Sequence, residues 1–139
     1  MEMLHLLNEK NHYLKKFTEL NQEALAEFVV GHFENMESFY HQRESLMEII
    51  RYVDKKLFEA SQMTSQSCLN AEELQQMKKY MKFKDGFVEL ILQQDLQILA
   101  CIDAAKSAVI RELQEINRSK GYLRKYKANE LNKNFIDEA

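Results

Sequence analysis

The chain lacks proline and tryptophan, and its 139 residues include only three glycines. Without proline, no position in the sequence forces a helix to kink or stop. Lys, Glu, Leu, Gln, Ala and Met are abundant, and these residues lose little side-chain freedom in a helix. Hydrophobic residues make up 45% of the chain, which is enough to form a core. The composition therefore predicts an all-α fold and argues against disorder.

The sequence also lacks an excess of basic residues, a long apolar run and a recognisable leader. A net charge of -3 disfavours nucleic acid as the main partner, because binding to phosphates requires a basic surface. No stretch of about 18 apolar residues is present, so no membrane insertion is expected. The first residues, MEMLHLLNEKNHYLKK, do not read as a signal peptide. These features predict a cytoplasmic protein.

Cysteine is scarce. Cys68 and Cys101 lie far apart in the sequence and cannot make up a disulfide framework, so we expect reduced thiols. Cys68 lies in a polar segment and is predicted to be accessible. Cys101 lies in an apolar run and is predicted to be buried as a small hydrophobic residue.

Hydrophobic periodicity predicts a first helix over residues 2–30, with its apolar face formed by Leu7, Leu14, Phe17, Ala24 and Phe28. Gly31 follows this helix at the position of a left-handed C-terminal cap. A second helix is predicted over residues 33–61. Because the connection between them is short, the two helices are expected to be antiparallel neighbours.

Arg43 is the one charged residue within the apolar stripe of the second helix. Its guanidinium could extend to the edge of the stripe, or it could pair with Glu44, Glu48 or an acidic residue on another helix. The sequence leaves these alternatives open.

A polar, aperiodic loop is predicted over residues 61–70, followed by a third and much longer helix over residues 71–120. Asn70 and Glu73 have the spacing of an N-cap and its reciprocal partner. Such a helix would be about 75 Å long, so we expect an elongated molecule or a bend at Asp85-Gly86. The fold prediction is thus an elongated antiparallel bundle of three long helices, the third longest and coiled-coil-like.

The third helix carries a sustained heptad pattern, in which Lys84, Asp95 and Glu112 are the charged exceptions. A second apolar edge is predicted to pack against the first two helices. It consists of Leu90, Leu92, Leu96 and Leu99.

The C-terminal segment changes character. Five basic residues lie between positions 118 and 127, and we interpret them as cations that stabilise the C-terminus of the third helix. Tyr122 and Tyr126 lie four residues apart on one helical face. They could anchor an interface with a partner or pack within the chain, and the sequence favours neither alternative. Residues 128–139 are predicted to be a flexible tail, which leaves residues 1–127 as a single helical-bundle domain.

No pattern in the sequence predicts an enzyme, a cofactor or a metal site. Glu9 and His12 form one Glu-x-x-His pair, but a di-iron site in a helical bundle needs a second pair, and all four histidines precede residue 42. Glu37 and His41 have the spacing of a helical side-chain pair. Cys68 has no histidine in its own segment, and no glycine-rich phosphate loop is present.

The order of these elements resembles the FlgN/FliT type of flagellar type III export chaperone, a family of small, acidic bacterial proteins built from long antiparallel helices. The resemblance covers residues 4–127. It is carried by GHFENMESFYHQRESLMEII at residues 31–50, by a polar loop, and by a long helix with DLQILACIDAAKSAVIRELQEINRSKGYLRKYK at residues 95–127.

The resemblance implies a cytoplasmic chaperone that binds unassembled hook–filament junction proteins or a filament-cap protein and delivers them to the export gate. The implied client surface is the C-terminal part of the long helix, namely Ile102, Val109, Leu113 and Ile116. A C-terminal tyrosine is associated with docking to the export gate in this family. Tyr122 is the first candidate for that residue, and Tyr126 is the second.

A structural coiled-coil protein is the alternative from another class. In that interpretation the heptads of the third helix close a homodimer or join a larger scaffold, and Lys84 and Asp95 set the register.

Overall fold

The computed structural model describes residues 2–63 and 69–137, which form three α-helices and no strand. The helices are α1 (Glu2–Phe28), α2 (Met36–Met63) and α3 (Ala71–Asp137). The predicted all-α class is therefore confirmed. The predicted loop began at residue 61, but residues 61–63 are helical and belong to α2. Residues 64–68 of that loop lie outside the described part of the chain. Cys68 belongs to that segment, so its predicted accessibility stays a prediction.

The predicted glycine cap ends α1. Gly31 has a φ of 83°, in the left-handed region that residues with a Cβ rarely adopt. Its backbone N–H donates to the Phe28 carbonyl at 3.0 Å, and the N–H of His32 donates to the Glu27 carbonyl at 2.9 Å. This pair of bonds is a Schellman motif, and it satisfies carbonyls that the end of the helix would otherwise leave without a donor.

The N-cap predicted at Asn70 is present at the start of α3. The Oδ1 atom of Asn70 accepts a hydrogen bond from the backbone N–H of Glu73 at 2.8 Å. The Asn70 carbonyl accepts the first helical bond, from Leu74, at 3.0 Å. Asn70 therefore satisfies one of the free N–H groups of the first turn.

The C-terminal end of α3 differs from the prediction. The helix does not stop near Lys120 but continues through Gly121 to Asp137. A single glycine costs a helix only about 1 kcal/mol, and the residues that follow it include no proline. The segment after residue 120 thus contains a weak interruption but no stop signal.

The chain divides into two compact units, Met1–Cys101 and Ile102–Ala139, and α3 contributes residues to both. Within the first unit, α1 supplies most of the buried hydrophobic side chains. The remainder come from α2 and from the first part of α3. The buried hydrophobic residues are Leu4, Leu6, Leu7, Leu14, Phe17, Ala24, Leu25, Phe28, Phe39, Val53, Ala60 and Ile98.

Helices α1 and α2 contact each other along their lengths. Leu6, near the start of α1, packs with Val53 and Ala60 from the second half of α2. At the other end, the ring of Phe28 meets that of Phe39 edge to face, with centroids 5.7 Å apart. This order of contacts is consistent with antiparallel neighbours.

Buried polar side chains join α1 to α3 within the first unit. Asn21 has no exposed surface. Its Nδ2 atom donates to Oε1 of Gln94 at 3.1 Å, and Nε2 of Gln94 donates to the Thr18 carbonyl at 3.0 Å. Asn11 makes a similar bond, from Nδ2 to the Tyr80 carbonyl at 3.0 Å. Because a sliding helix would leave these groups without partners, the bonds hold α1 and α3 in one register.

An ion pair joins α2 to α3. The Arg43 guanidinium donates two hydrogen bonds to the Asp95 carboxylate, at 2.7 and 3.0 Å. Arg43 also lies over the ring of Phe17, 4.9 Å from its centroid. Of the alternatives that the sequence left open for Arg43, the structure selects an acidic residue on another helix.

Candidate partner-binding surface

The second unit exposes an apolar stripe on α3. Val109, Leu113 and Ile116 each expose about half of their side-chain surface, at 55%, 54% and 49%. Ile102 begins the same stripe and is half-buried. Because these four residues recur at spacings of seven, four and three, they lie on one face of the helix. We call this set, Ile102, Val109, Leu113 and Ile116, the client stripe, after the client surface that the resemblance implies.

Tyr122 and Tyr126 are both exposed, at 70% and 61%. They share one face with each other, but helical geometry places that face roughly a third of a turn around the axis from the client stripe. The six predicted partner-binding residues therefore form two adjacent surfaces on one helix. A single bound helix that covered the stripe would leave both phenol groups accessible.

The basic cluster does not lie at a helix terminus. Arg118, Lys120, Arg124, Lys125 and Lys127 all belong to α3, whose last turn has no basic residue. The interaction of a cation with the helix dipole fades beyond the last turn. The interpretation of the cluster as a terminal stabiliser is therefore wrong, and these cations are part of an exposed helix surface that also holds the two tyrosines.

The second apolar edge of α3 was expected to pack against α1 and α2, and it does not. Leu92, Leu96 and Leu99 expose 60%, 69% and 56% of their surface, and Leu90 is also exposed. The buried face of this part of α3 is instead formed by Gln94 and Ile98, with Asp95 at its border. The two shorter helices cover only one side of α3, so the leucines on its flanks face solvent.

The histidines and acidic residues do not form a metal site in the described part of the chain, where no group of three potential ligands comes together. His12 is exposed and stacks edge to face with Tyr13. His41 lies 3.9 Å from Glu37, and both side chains are exposed, as expected for a pair four residues apart. Cys101 is half-buried rather than fully buried.

No helix in the described ranges combines the length and the hydropathy needed to cross a bilayer.

The buried polar residues of the first unit were missed by the sequence interpretation, although a signal for them exists. Leu7, Asn11, Leu14, Thr18, Asn21, Leu25 and Phe28 alternate at spacings of four and three. The predicted helix face was defined by its apolar residues alone, so the three polar residues among these seven were not included. Polar residues that hold the phase of a heptad stripe indicate interhelical hydrogen bonds.

Comparisons of this chain with protein-family models, with curated proteins and with solved structures find no match.

Proposed function

We propose that this chain is a cytoplasmic chaperone of the flagellar type III export kind, which acts by binding proteins and not by catalysis. Its clients would be unassembled hook-associated or filament-cap proteins, which it would deliver to the export apparatus. In this proposal, α1, α2 and the first part of α3 form an antiparallel, coiled-coil-like bundle. The second unit provides the client surface.

The single observation that carries the proposal is the exposed client stripe. Val109, Leu113 and Ile116 follow one another on one face of a helix, and each leaves about half of its surface in contact with solvent. A row of apolar side chains at these spacings is the surface on which an amphipathic helix can pack. Hook-associated proteins carry terminal helices whose apolar faces would be exposed before assembly, so the two surfaces are chemically matched.

The bonds within the first unit support the same proposal. Arg43 with Asp95, and Asn21 with Gln94, fix α3 to the two other helices upstream of the stripe. These bonds order the part of α3 that precedes the stripe, so the conformational entropy of that part is not lost when a client binds.

The tyrosines would serve a second step. Because Tyr122 and Tyr126 lie on a different face from the client stripe, the loaded chaperone could still present them. Tyrosine combines a large apolar ring with a hydroxyl group and is common at the centres of protein interfaces. We assign docking to the export gate to Tyr122 first and to Tyr126 second.

Isothermal titration calorimetry tests the client surface. C-terminal helical segments of the hook-associated proteins from the same genome are titrated into the full chain. We expect one segment to bind with micromolar affinity or better, and the double variant Val109→Asp with Ile116→Asp to weaken that binding at least tenfold, or about 1.4 kcal/mol. The double variant should keep its helical circular dichroism, because both side chains already face solvent.

The matched control is Gln114→Asp. Gln114 is exposed on the same helix, away from the stripe, and the change adds the same single negative charge as one of the test substitutions. Its affinity for the segment should equal that of the unchanged chain. If no segment binds, or if Gln114→Asp weakens binding as much as the double variant, the client stripe is not the chaperone surface.

A further inference from the structure

An open apolar groove lies on α3 within the first unit and shares no residue with the client stripe. It has a volume of about 570 Å³, and its walls are Phe83, Phe87 and Leu90, with Gly86 between them. Half of the Phe83 surface is exposed, as is 43% of Leu90. Two aromatic rings and a leucine beside one glycine form a concave surface of the shape that a bulky apolar side chain can enter.

Gly86 has no packing role in the chain itself. A Cβ atom built at this position would meet no atom within 4 Å. Glycine in a helix interior costs about 1 kcal/mol relative to alanine, and the packing of the first unit does not require it. The missing side chain does have one effect, which is to leave the floor of the groove open. Glycine is the residue that permits another molecule to approach a backbone closely.

The rim of the groove is basic. Lys79 and Lys82 line it, and Nζ of Lys79 lies 5.8 Å from the centroid of the Phe83 ring. A second cavity, of about 430 Å³, also has Phe87 in its lining, together with residues of α1. There Lys15 lies beside two histidines, and Glu9 is the one acidic residue in the lining.

This local charge contrasts with that of the whole chain, which is -3. The linings of the groove and of the second cavity together contain three lysines and one glutamate, so the lining carries an excess of positive charge. On the same stretch of α3, the acidic residues Asp85 and Glu89 are matched in number by Lys78 and Lys84. Charge complementarity therefore favours an acidic occupant and disfavours a basic one. From Lys79 to Leu90 the groove follows α3 for about 16 Å, or roughly three helical turns.

We propose that this groove is a second docking site, which binds an amphipathic helix of a partner protein through apolar residues flanked by Asp and Glu. An apolar side chain of the partner enters above Gly86 between the two phenylalanine rings. The carboxylates of the partner pair with Lys79 and Lys82. No residue of this site belongs to the client stripe, so the proposal does not depend on the function proposed above.

Fluorescence anisotropy with two designed probes tests the site. Both are helical peptides of about 18 residues with Leu at matching positions, and they differ only in having Glu or Lys beside the leucines. The acidic probe should bind the full chain, and the basic probe should bind at least tenfold more weakly. Gly86→Leu, which fills the groove, should weaken binding of the acidic probe at least tenfold. Exchange of Lys79 and Lys82 for Glu should reverse the preference between the probes.

Matched controls separate the groove from general effects. Gly121→Leu makes the same change in the same helix at a position that is equally open, and Lys106→Glu reverses an exposed charge outside the groove. Both should bind the acidic probe as the unchanged chain does. The Val109→Asp and Ile116→Asp double variant should also bind the acidic probe normally. This measurement therefore tests the groove independently of the client stripe.

Three results would overturn the proposal. Equal binding of the two probes would remove the charge argument, and loss of binding in the client-stripe double variant would place the probe on the wrong surface. Self-association of the chain that Gly86→Leu abolishes would assign the groove to a second copy instead.

Discussion

At the scale of single residues, the pairing of Arg43 with Asp95 depends on the tertiary fold, because it joins two different helices. About a quarter of each side chain is exposed, so solvent screens the pair partly and its contribution is below that of a fully buried one. Arg43→Ala should destabilise the protein by about 2 kcal/mol, because it leaves the Asp95 carboxylate at a helix interface without its partner. Chemical denaturation followed by circular dichroism measures this change.

Arg51→Ala is the matched control for that prediction. Arg51 contacts Glu44 on the same helix at 3.4 Å, and both side chains are largely exposed. Its removal should cost less than about 0.5 kcal/mol. Equal costs for the two arginine variants would show that the Arg43 pair does not stabilise the contact between α2 and α3.

A second prediction at this scale concerns two glycines, whose replacement by alanine should change the free energy of unfolding in opposite directions. Gly31→Ala should destabilise by about 1 kcal/mol, because φ at this position is 83°. Gly86→Ala should stabilise by about 1 kcal/mol, because Gly86 is helical and open space surrounds it. Thermal unfolding of both variants checks the signs. Destabilisation by Gly86→Ala would mean that the chain packs against this position.

At the scale of helices, the N-cap of α3 is a local device whose effect can be measured alone. Asn70→Ala should cost about 1 kcal/mol, whereas Asn70→Ser should cost much less because the serine hydroxyl can also accept from the Glu73 N–H. The comparison is made by urea denaturation. If the two variants unfold at the same urea concentration, the Asn70 side chain does not act as a cap.

The flanks of α3 give a further prediction at the scale of helices. Leu96→Ala should change the free energy of unfolding by less than about 0.5 kcal/mol, since the side chain is 69% exposed. Ile98→Ala, two positions later, should cost about 3 kcal/mol, since that side chain is buried. A large cost for Leu96→Ala would restore the original expectation that this edge packs within the chain.

Features that depend on neighbouring residues in the chain could be predicted from the sequence, whereas features that depend on contacts between helices could not. Gly31 and Asn70 act through bonds to their own neighbours in the chain, so local pattern was sufficient to identify both caps. Leu96 was placed incorrectly because the width of an apolar stripe does not reveal how many helices cover it. The end of α3 was missed because no residue after Lys120 is a strong stop signal. Asn21 and Gln94 were overlooked because their pairing depends on which faces meet.

At the scale of the whole molecule, the two units differ in the side chains that they bury and expose. The first unit holds the ion pair, the polar bonds and the buried hydrophobic residues, and the second exposes apolar and aromatic side chains on one helix. Stability and binding at the client stripe should therefore respond to different substitutions. We expect variants of Val109 and Ile116 to unfold at the same temperature as the unchanged chain, within about 2 °C, as differential scanning calorimetry would show.

The proposed function requires the client stripe to be available to another protein and not reserved for a second copy of this chain. Light scattering coupled to size-exclusion chromatography measures this directly, on the chain alone and with the client segment that binds it. We predict a monomer alone and a complex of one chain with one segment. The contradicting result is a homodimer that persists with the segment present and dissociates in the Val109→Asp and Ile116→Asp double variant, because the stripe would then serve self-association.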